Sequence, residues 1–111
     1  MVNWNEMNTH GTNYCAIEDL ICKYRLTIKD ISFAASASKM LVCLNTESIL
    51  FFPLSLYPVL SEADSPALRD FRIIAGGTGV HWPALDEDLS LKGFLKDALV
   101  MMINGKSVKV A

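Results

Sequence analysis

Apolar and polar residues follow two different periods along this chain, and the change of period predicts where helices and strands lie. Between residues 14 and 23 the apolar positions recur every three or four residues, opposite Glu18 and Asp19, which predicts a short amphipathic helix. Three runs rich in β-branched and aromatic residues follow, at 24–34, 39–44 and 48–52. They predict an antiparallel meander that ends at Pro53, because proline cannot donate to a β ladder.

The second half of the chain predicts short helices around a further hairpin. Residues 54–60 suit a helical turn limited by Pro58, and Asp64-Ser65-Pro66 predicts a helix start with Ser65 as the N-cap. Two runs, 71–75 and 79–82, predict strands joined by Gly76-Gly77-Thr78-Gly79, whose glycines supply the positive φ angles of a tight turn.

The end of the chain predicts one more helix and a turn. An acidic loop at 86–88 precedes Ser90, which we expect to cap a helix with one apolar face, formed by Leu91, Phe94, Leu95 and Leu99. Asn104-Gly105, between the apolar residues 101–103 and the alternating residues 107–110, favours a type I′ hairpin turn.

These elements indicate an α+β fold, a small antiparallel β-sheet built from two hairpins or a meander, with short helices. A chain of 111 residues is long enough for one hydrophobic core and too short for two domains. We predict a flexible leader over residues 1–13, a single α+β domain over residues 14–99, and a C-terminal tail or hairpin over residues 100–111.

Composition and charge narrow the classes of function. The chain is 51% hydrophobic and 20% charged, which is typical of a globular protein, and its net charge of -2 comes with no block of Lys and Arg. We therefore do not expect the isolated chain to bind nucleic acid. The odd number of cysteines, without C-x-x-C spacing, argues against a disulfide framework or a zinc site and favours a reducing cytoplasm.

The sequence offers no signal for export, a membrane anchor or catalysis. The N-terminus lacks a basic segment followed by an apolar one, and the longest apolar run, 49–60, contains two prolines and is too short to span a bilayer. Only His10 and His81 could serve as a base for a nucleophile, and His10 lies in the predicted leader. We expect no enzyme activity, no cofactor and no metal site; Asp86 to Asp88 are consecutive carboxylates that point in different directions. Cys43, within an apolar strand, suits a small buried side chain.

The segment from Phe51 to Leu95 carries a series of unusual elements in a fixed order. A proline and a Tyr-Pro follow the third strand, then a Gly-rich turn, His81-Trp82-Pro83 and an acidic Leu-Asp-Glu-Asp before the last helix. In this respect the chain resembles the prokaryotic family named domain of unknown function 2442, over about residues 26–97. It departs from the family at Thr46 and Glu47, where relatives carry an Asp-Gly turn, and at Ala84, where many carry Asp.

The resemblance implies a compact β-sheet with short helices, as in the N-terminal domain of that family, either free-standing or fused to a helix-turn-helix domain. It also implies a protein-binding role, because family genes often neighbour those of another small family in arrangements that look like toxin and antitoxin pairs. This is association rather than mechanism.

Our leading hypothesis is a cytoplasmic protein-interaction module, the antitoxin-like partner of a second small protein, whose basic surface it covers with its acidic segment and the His81-Trp82 edge. A second copy of the chain is the other partner considered. Two alternative functions stay open, a regulatory nucleic-acid-associated module and a small-molecule-binding domain with a pocket near His81. The residues proposed to contact the partner are Tyr57, Arg69, His81, Trp82, Asp86 and Asp88; for Tyr57 and Trp82 the competing interpretation is packing.

Overall fold

The computed structural model describes residues 16–34 and 38–105 and confirms the α+β fold. Two three-stranded antiparallel sheets are combined with short helices. In chain order the elements are α1 (Ala16–Tyr24), β1 (Ile28–Ala34), β2 (Lys39–Leu44), β3 (Ile49–Pro53), a 3-10 turn (Leu54–Leu56), α2 (Pro58–Ser61), α3 (Ser65–Arg69), β4 (Arg72–Ile74), a 3-10 turn (Ala75–Gly77), β5 (Gly79–Trp82), a 3-10 turn (Pro83–Leu85), β6 (Glu87–Ser90) and α4 (Leu91–Ile103).

Sheet 1 is the predicted meander, with strand order β1-β2-β3. Along β2, Met40, Val42 and Leu44 are buried while the residues between them are only partly buried, so the strand has one core face. In β1 the buried residues are Ile28 and Ile31, three positions apart. A β-bulge between Ile28 and Asp30 explains this spacing, because one extra residue shifts the alternation by one position.

Sheet 2 has the strand order β4-β5-β6, and β6 corrects the sequence-based prediction of an acidic loop. Asp86, with a φ of 49°, ends the 3-10 turn and reverses the chain, so that Glu87 pairs with Trp82 and Asp88 with His81. The strand escaped prediction because Leu89 is its only apolar residue, which leaves no alternating pattern to detect.

Side-chain caps begin α3 and α4, and one of the two differs from the prediction. Ser90 caps α4 as predicted, since its Oγ accepts a hydrogen bond from the Gly93 N–H at 3.0 Å. At α3 the N-cap is Asp64 instead of Ser65, because the Asp64 carboxylate accepts the Ala67 N–H at 3.0 Å.

The structure also corrects the predicted C-terminal hairpin turn. Residues 100–103 continue α4 and do not form a strand, and Asn104 is the C-cap. Gly105, with a φ of 73°, donates its N–H to the Met102 carbonyl oxygen at 3.2 Å, which is the left-handed ending common to helices. Asn-Gly suits this ending as well as a hairpin turn. The predicted leader and residues 107–110 lie outside the described residues.

Buried residues from both sheets, α1, α2 and α4 form one continuous apolar cluster. At its centre, the Phe52 and Phe94 rings stack with centroids 5.6 Å apart, and Tyr57 meets both rings edge-on. Because a β3 residue and an α4 residue share this aromatic group, α4 is held against sheet 1.

A close backbone approach joins the start of β1 to the turn before β5. Gly77 has a φ of 96°, and a Cβ atom built there would lie 2.6 Å from the Cβ of Thr27. Glycine is the residue that satisfies both demands, a left-handed backbone and no side chain. None of the helices within 16–34 and 38–105 is long and apolar enough to cross a membrane.

Candidate interaction site

Two of the six predicted contact residues are buried in the core and do not present their rings to a partner. Trp82 is completely buried, and its Nε1–H donates to the Leu68 carbonyl oxygen at 2.9 Å. Tyr57 is buried among aromatic rings, and its hydroxyl donates to Oδ2 of Asp97 at 2.8 Å. For these two residues the packing interpretation holds, because each ring fills the core while its polar atom finds a partner there.

The other four residues lie at the surface, near one end of sheet 2. The strand register places Arg72, His81 and Asp88 side by side on three neighbouring strands, and directly opposed residues point to the same face. His81 Nδ1 and Asp88 Oδ1 are 2.5 Å apart. Asp86 is exposed in the turn before β6, and Arg69 lies three residues before β4. The sheet therefore brings together His81 and Asp88, with Arg72 added by the register.

The polar row formed by Arg72, His81 and Asp88 belongs to no metal-binding cluster of described residues. Among the described residues no group of three His, Cys, Asp or Glu side chains is arranged to hold a metal ion. The Cys43 thiol, half-buried in β2, is a poor nucleophile: burial, followed by the negative charge of Asp30, raises its pKa above the ordinary value. The row is a surface of mixed charge and does not line any of the three depressions described below.

An apolar groove lies between α1 and α4 at the turn end of sheet 1. It encloses about 390 Å³, and all its lining residues except Thr46 and Ser48 are apolar. Leu20, Leu99 and Met102 in its walls are 52%, 48% and 48% exposed, so the groove is open to solvent. The apolar lining residues are Ile17, Leu20, Ile21, Leu26, Leu44, Leu50, Leu95, Ala98, Leu99 and Met102.

The groove exists because α4 carries more apolar residues than the hydrophobic core of the chain buries. Its buried stripe is Leu91, Phe94, Ala98 and Met101. A second stripe, Leu95, Leu99 and Met102, follows the spacing i, i+4 and i+7 on the adjacent side of the helix and lines the groove. The last turn is apolar on every side, and Ile103 is 80% exposed.

Two acidic residues lie on elements that border the groove, one paired and one without a partner among the described residues. Glu18 on α1 accepts a hydrogen bond from Lys92 of α4 at 3.3 Å, which joins the two helices. Glu47, between the lining residues Thr46 and Ser48, forms no salt bridge with any described residue. The rim therefore carries a negative charge on the turn side that no described residue pairs with, whereas Asp19 lies opposite the apolar face of α1.

Two other depressions are less apolar or smaller. One, of about 390 Å³, is lined by residues that include Glu18, Cys22, Thr78 and Lys92, beside the start of α4. The other, of about 250 Å³, lies between Pro53, Leu56 and the end of α4. His81 lines none of the three, so the predicted small-molecule pocket near His81 gains no support from them.

Comparison with known proteins places the chain in a family. The family model described as "Protein of unknown function (DUF2442)" matches residues 29–99, which is more than half of the 111 residues. The chain belongs to the DUF2442 family. No protein with a curated description matches it.

Two solved structures are similar to this DUF2442 protein. A protein of unknown function from Rhodospirillum rubrum ATCC 11170 is 29% identical, with a TM-score of 0.58, over 65% of this chain and 87% of the other. An uncharacterised protein from Chromobacterium violaceum, solved by NMR, is 24% identical, with a TM-score of 0.60, over 86% of this chain and 83% of the other. The second supports the fold alone, and neither description states a function.

The DUF2442 match includes sheet 1, sheet 2 and most of α4, but α1 and Met102 lie outside residues 29–99. The groove thus combines family elements with segments that flank them. Sequence reasoning missed it because the helical period places Leu20 and Leu99 on the apolar faces of their helices, which predicts packing in the core. The available signal was the run of five apolar residues, 99–103, since no helix buries five successive residues against one surface.

Proposed function

We propose that this DUF2442 protein is a protein-interaction module whose α1–α4 groove receives an amphipathic helix of a second small protein. The observation that carries the proposal is the groove itself, with half-exposed Leu20, Leu99 and Met102 in its walls. Contiguous exposed apolar surface of this kind marks interaction sites in soluble proteins.

The shape of the groove favours a helix over an extended peptide. Two helices form its walls, and the Leu95, Leu99 and Met102 stripe presents apolar side chains at the spacing with which a second helix interdigitates. A partner with apolar residues at i, i+3 or i+4 and i+7 matches this stripe. Completing the burial of each half-exposed side chain contributes on the order of 1 kcal/mol, which offsets part of the entropy lost on association.

Charge at the rim indicates the chemistry of the partner helix. Glu47 lies between two lining residues without a salt bridge to a described residue, so a basic side chain flanking the apolar stripe of the partner is favoured. In this proposal the α1–α4 groove is the centre of contact in place of the buried Trp82. The partner is still expected to be basic.

An antitoxin-like relation to that partner and a cytoplasmic location are part of the same proposal. The gene arrangements typical of the family and the odd number of cysteines support them. The proposed role is binding, without a reaction.

The test compares three tagged forms of the full chain in their ability to co-purify proteins from the native host at moderate salt. Leu99→Asp places a charge in the groove wall. Val59→Asp is the matched control, because Val59 of α2 is 42% exposed and does not line the groove. Proteins recovered by the wild type and by Val59→Asp but lost with Leu99→Asp are then produced separately, and their dissociation constants are measured.

We expect recovery of one small protein with a basic amphipathic helix, which Leu99→Asp binds at least about tenfold more weakly than the wild type does. A separate variant, Glu47→Lys, should also weaken binding, and more strongly at low salt. Equal recovery by all three forms would overturn it, as would recovery of the chain alone. Recovery of nucleic acid that is lost at high salt would favour the regulatory alternative instead.

A further inference from the structure

The outer edge of β3 carries backbone hydrogen-bonding groups that no described residue uses. In sheet 1, Leu44 N–H donates to Ser48 O and Leu54 N–H donates to Ser38 O, each at 2.9 Å. Bonded pairs alternate in an antiparallel ladder, so Leu50 and Phe52 bond to β2 while Ile49, Phe51 and Pro53 turn their backbone groups away from it. No other described strand pairs with this edge.

β3 is also the edge strand without charge. The other three edge strands each carry charged residues, Lys29 and Asp30 in β1, Arg72 in β4, and Glu87 and Asp88 in β6. Charged side chains are the usual means by which an edge strand resists pairing with another chain. No charged residue occurs between Glu47 and Glu62, so β3 and the turns that follow it lack this protection.

The outward face of sheet 1 is apolar next to the same edge. The register places Leu41 beside Phe51 and Cys43 beside Ile49, and all four side chains are half-buried. A strand added beside β3 with apolar residues at matching positions extends this face and covers the exposed flanks of Ile49 and Phe51.

The edge is complementary to a second copy of itself. In antiparallel pairing about a two-fold axis at Phe51, the two Phe51 residues exchange both N–H···O bonds, and each Ile49 N–H donates to a Pro53 carbonyl oxygen. Pro53 has no N–H, so one Ile49 carbonyl oxygen per chain stays with solvent. No charged side chain of β3 is brought near a like charge, since β3 has none.

We propose that two copies of this chain pair through β3, antiparallel about Phe51, to form one six-stranded sheet with the order β1-β2-β3-β3-β2-β1. In this dimer the unprotected β3 edge of each copy is covered by β3 of the other copy, and the two-fold symmetry limits the assembly to two chains. The surface is separate from the α1–α4 groove, whose lining includes no outward residue of β3.

The first measurement is amide hydrogen exchange of the native chain by NMR, over about a hundredfold range of protein concentration, with the mass followed by sedimentation. The pairing predicts that the N–H groups of Ile49 and Phe51 become protected as the mass rises from 12.3 kDa to twice that value. Their neighbours Leu50 and Phe52, bonded within the chain, are protected throughout.

The second measurement compares Phe51→Pro with Phe51→Val. Both remove the ring, but only Phe51→Pro removes the outward N–H, which β2 does not use. We expect Phe51→Val to dimerise and Phe51→Pro to raise the dissociation constant of the dimer at least about tenfold relative to it. Circular dichroism checks that both fold; if Phe51→Pro does not, the exchange data on the native chain decide.

Two results contradict the proposal. Fast exchange of Ile49 and Phe51 at every concentration, with a monomeric mass, means that the edge stays open. Protection that is independent of concentration in a monomer means that another segment of the same chain covers β3. Because Leu99→Asp leaves β3 intact and Phe51→Pro leaves the groove intact, the failure of one proposal is distinguishable from the failure of the other.

Discussion

Tyr57 and Asp97 are forty positions apart in the sequence and are joined by a hydrogen bond of 2.8 Å from the tyrosine hydroxyl to Oδ2 of the carboxylate. The bond ties the segment between the two sheets to α4, and the Tyr57 ring packs edge-on against Phe52 and Phe94. Tyr57, which the sequence predicts as a partner-contact residue, thus links β3, α4 and the segment between the two sheets.

Tyr57→Phe should lower the free energy of unfolding by about 1–2 kcal/mol, because it removes a hydrogen bond to a charged group and keeps the ring. Tyr24→Phe is the matched control, since Tyr24 is 66% exposed and its hydroxyl has no described partner. Urea denaturation measures both. Equal stability of Tyr57→Phe and Tyr24→Phe would show that the bond does not contribute.

Stability should fall at alkaline pH through the same hydroxyl. Burial, followed by the hydrogen bond to Asp97, raises the pKa of Tyr57 in the folded state well above its ordinary value. The stabilisation is therefore complete below the unfolded-state pKa of about 10 and is lost as pH rises from there toward the folded-state pKa. The difference in unfolding free energy between the wild type and Tyr57→Phe should shrink above about pH 10. A constant difference across that range would argue against this linkage.

Gly77→Ala should destabilise the protein more than Gly76→Ala. Both residues have a positive φ, but a Cβ at 77 would lie 2.6 Å from Thr27 Cβ, whereas a Cβ at 76 meets nothing within 4 Å. We expect about 1 kcal/mol for Gly76→Ala from backbone strain alone, and about 2–3 kcal/mol for Gly77→Ala, where a steric overlap is added. Thermal unfolding followed by circular dichroism ranks the two variants, and the reverse order is the contrary outcome.

Substitution of the adjacent β5 residues Trp82 and His81 should lower the free energy of unfolding by very different amounts. Trp82→Phe leaves a cavity and an unpaired Leu68 carbonyl oxygen, so we expect a loss of about 2–3 kcal/mol. His81→Gln changes a surface side chain whose partner Asp88 is 70% exposed, so the expected change is within about 0.5 kcal/mol. Urea unfolding distinguishes them, and similar losses for both would mean that His81 has a structural role beyond its pair with Asp88.

The candidate site was predictable only in part. The sequence places the polar residues His81, Asp86 and Asp88 next to or near Trp82, and these three residues lie at the surface. Trp82 could not be separated from them in the sequence, because a tryptophan at a strand end suits a core and an interface equally well. The groove required α1 and α4 to be placed side by side, and no short sequence pattern contains that arrangement.

The sequence by itself determined the elements with a strong local cause. The alternation in β2, the proline that ends β3, the serine that caps α4 and the glycine turn before β5 all act within a few residues, so the chain carries their complete explanation. Tertiary structure alone decided the pairing of β6, the burial of Trp82 and the exposure of Leu99. Helical and strand periods fix which residues share a face, but burial of a face depends on which distant element packs against it.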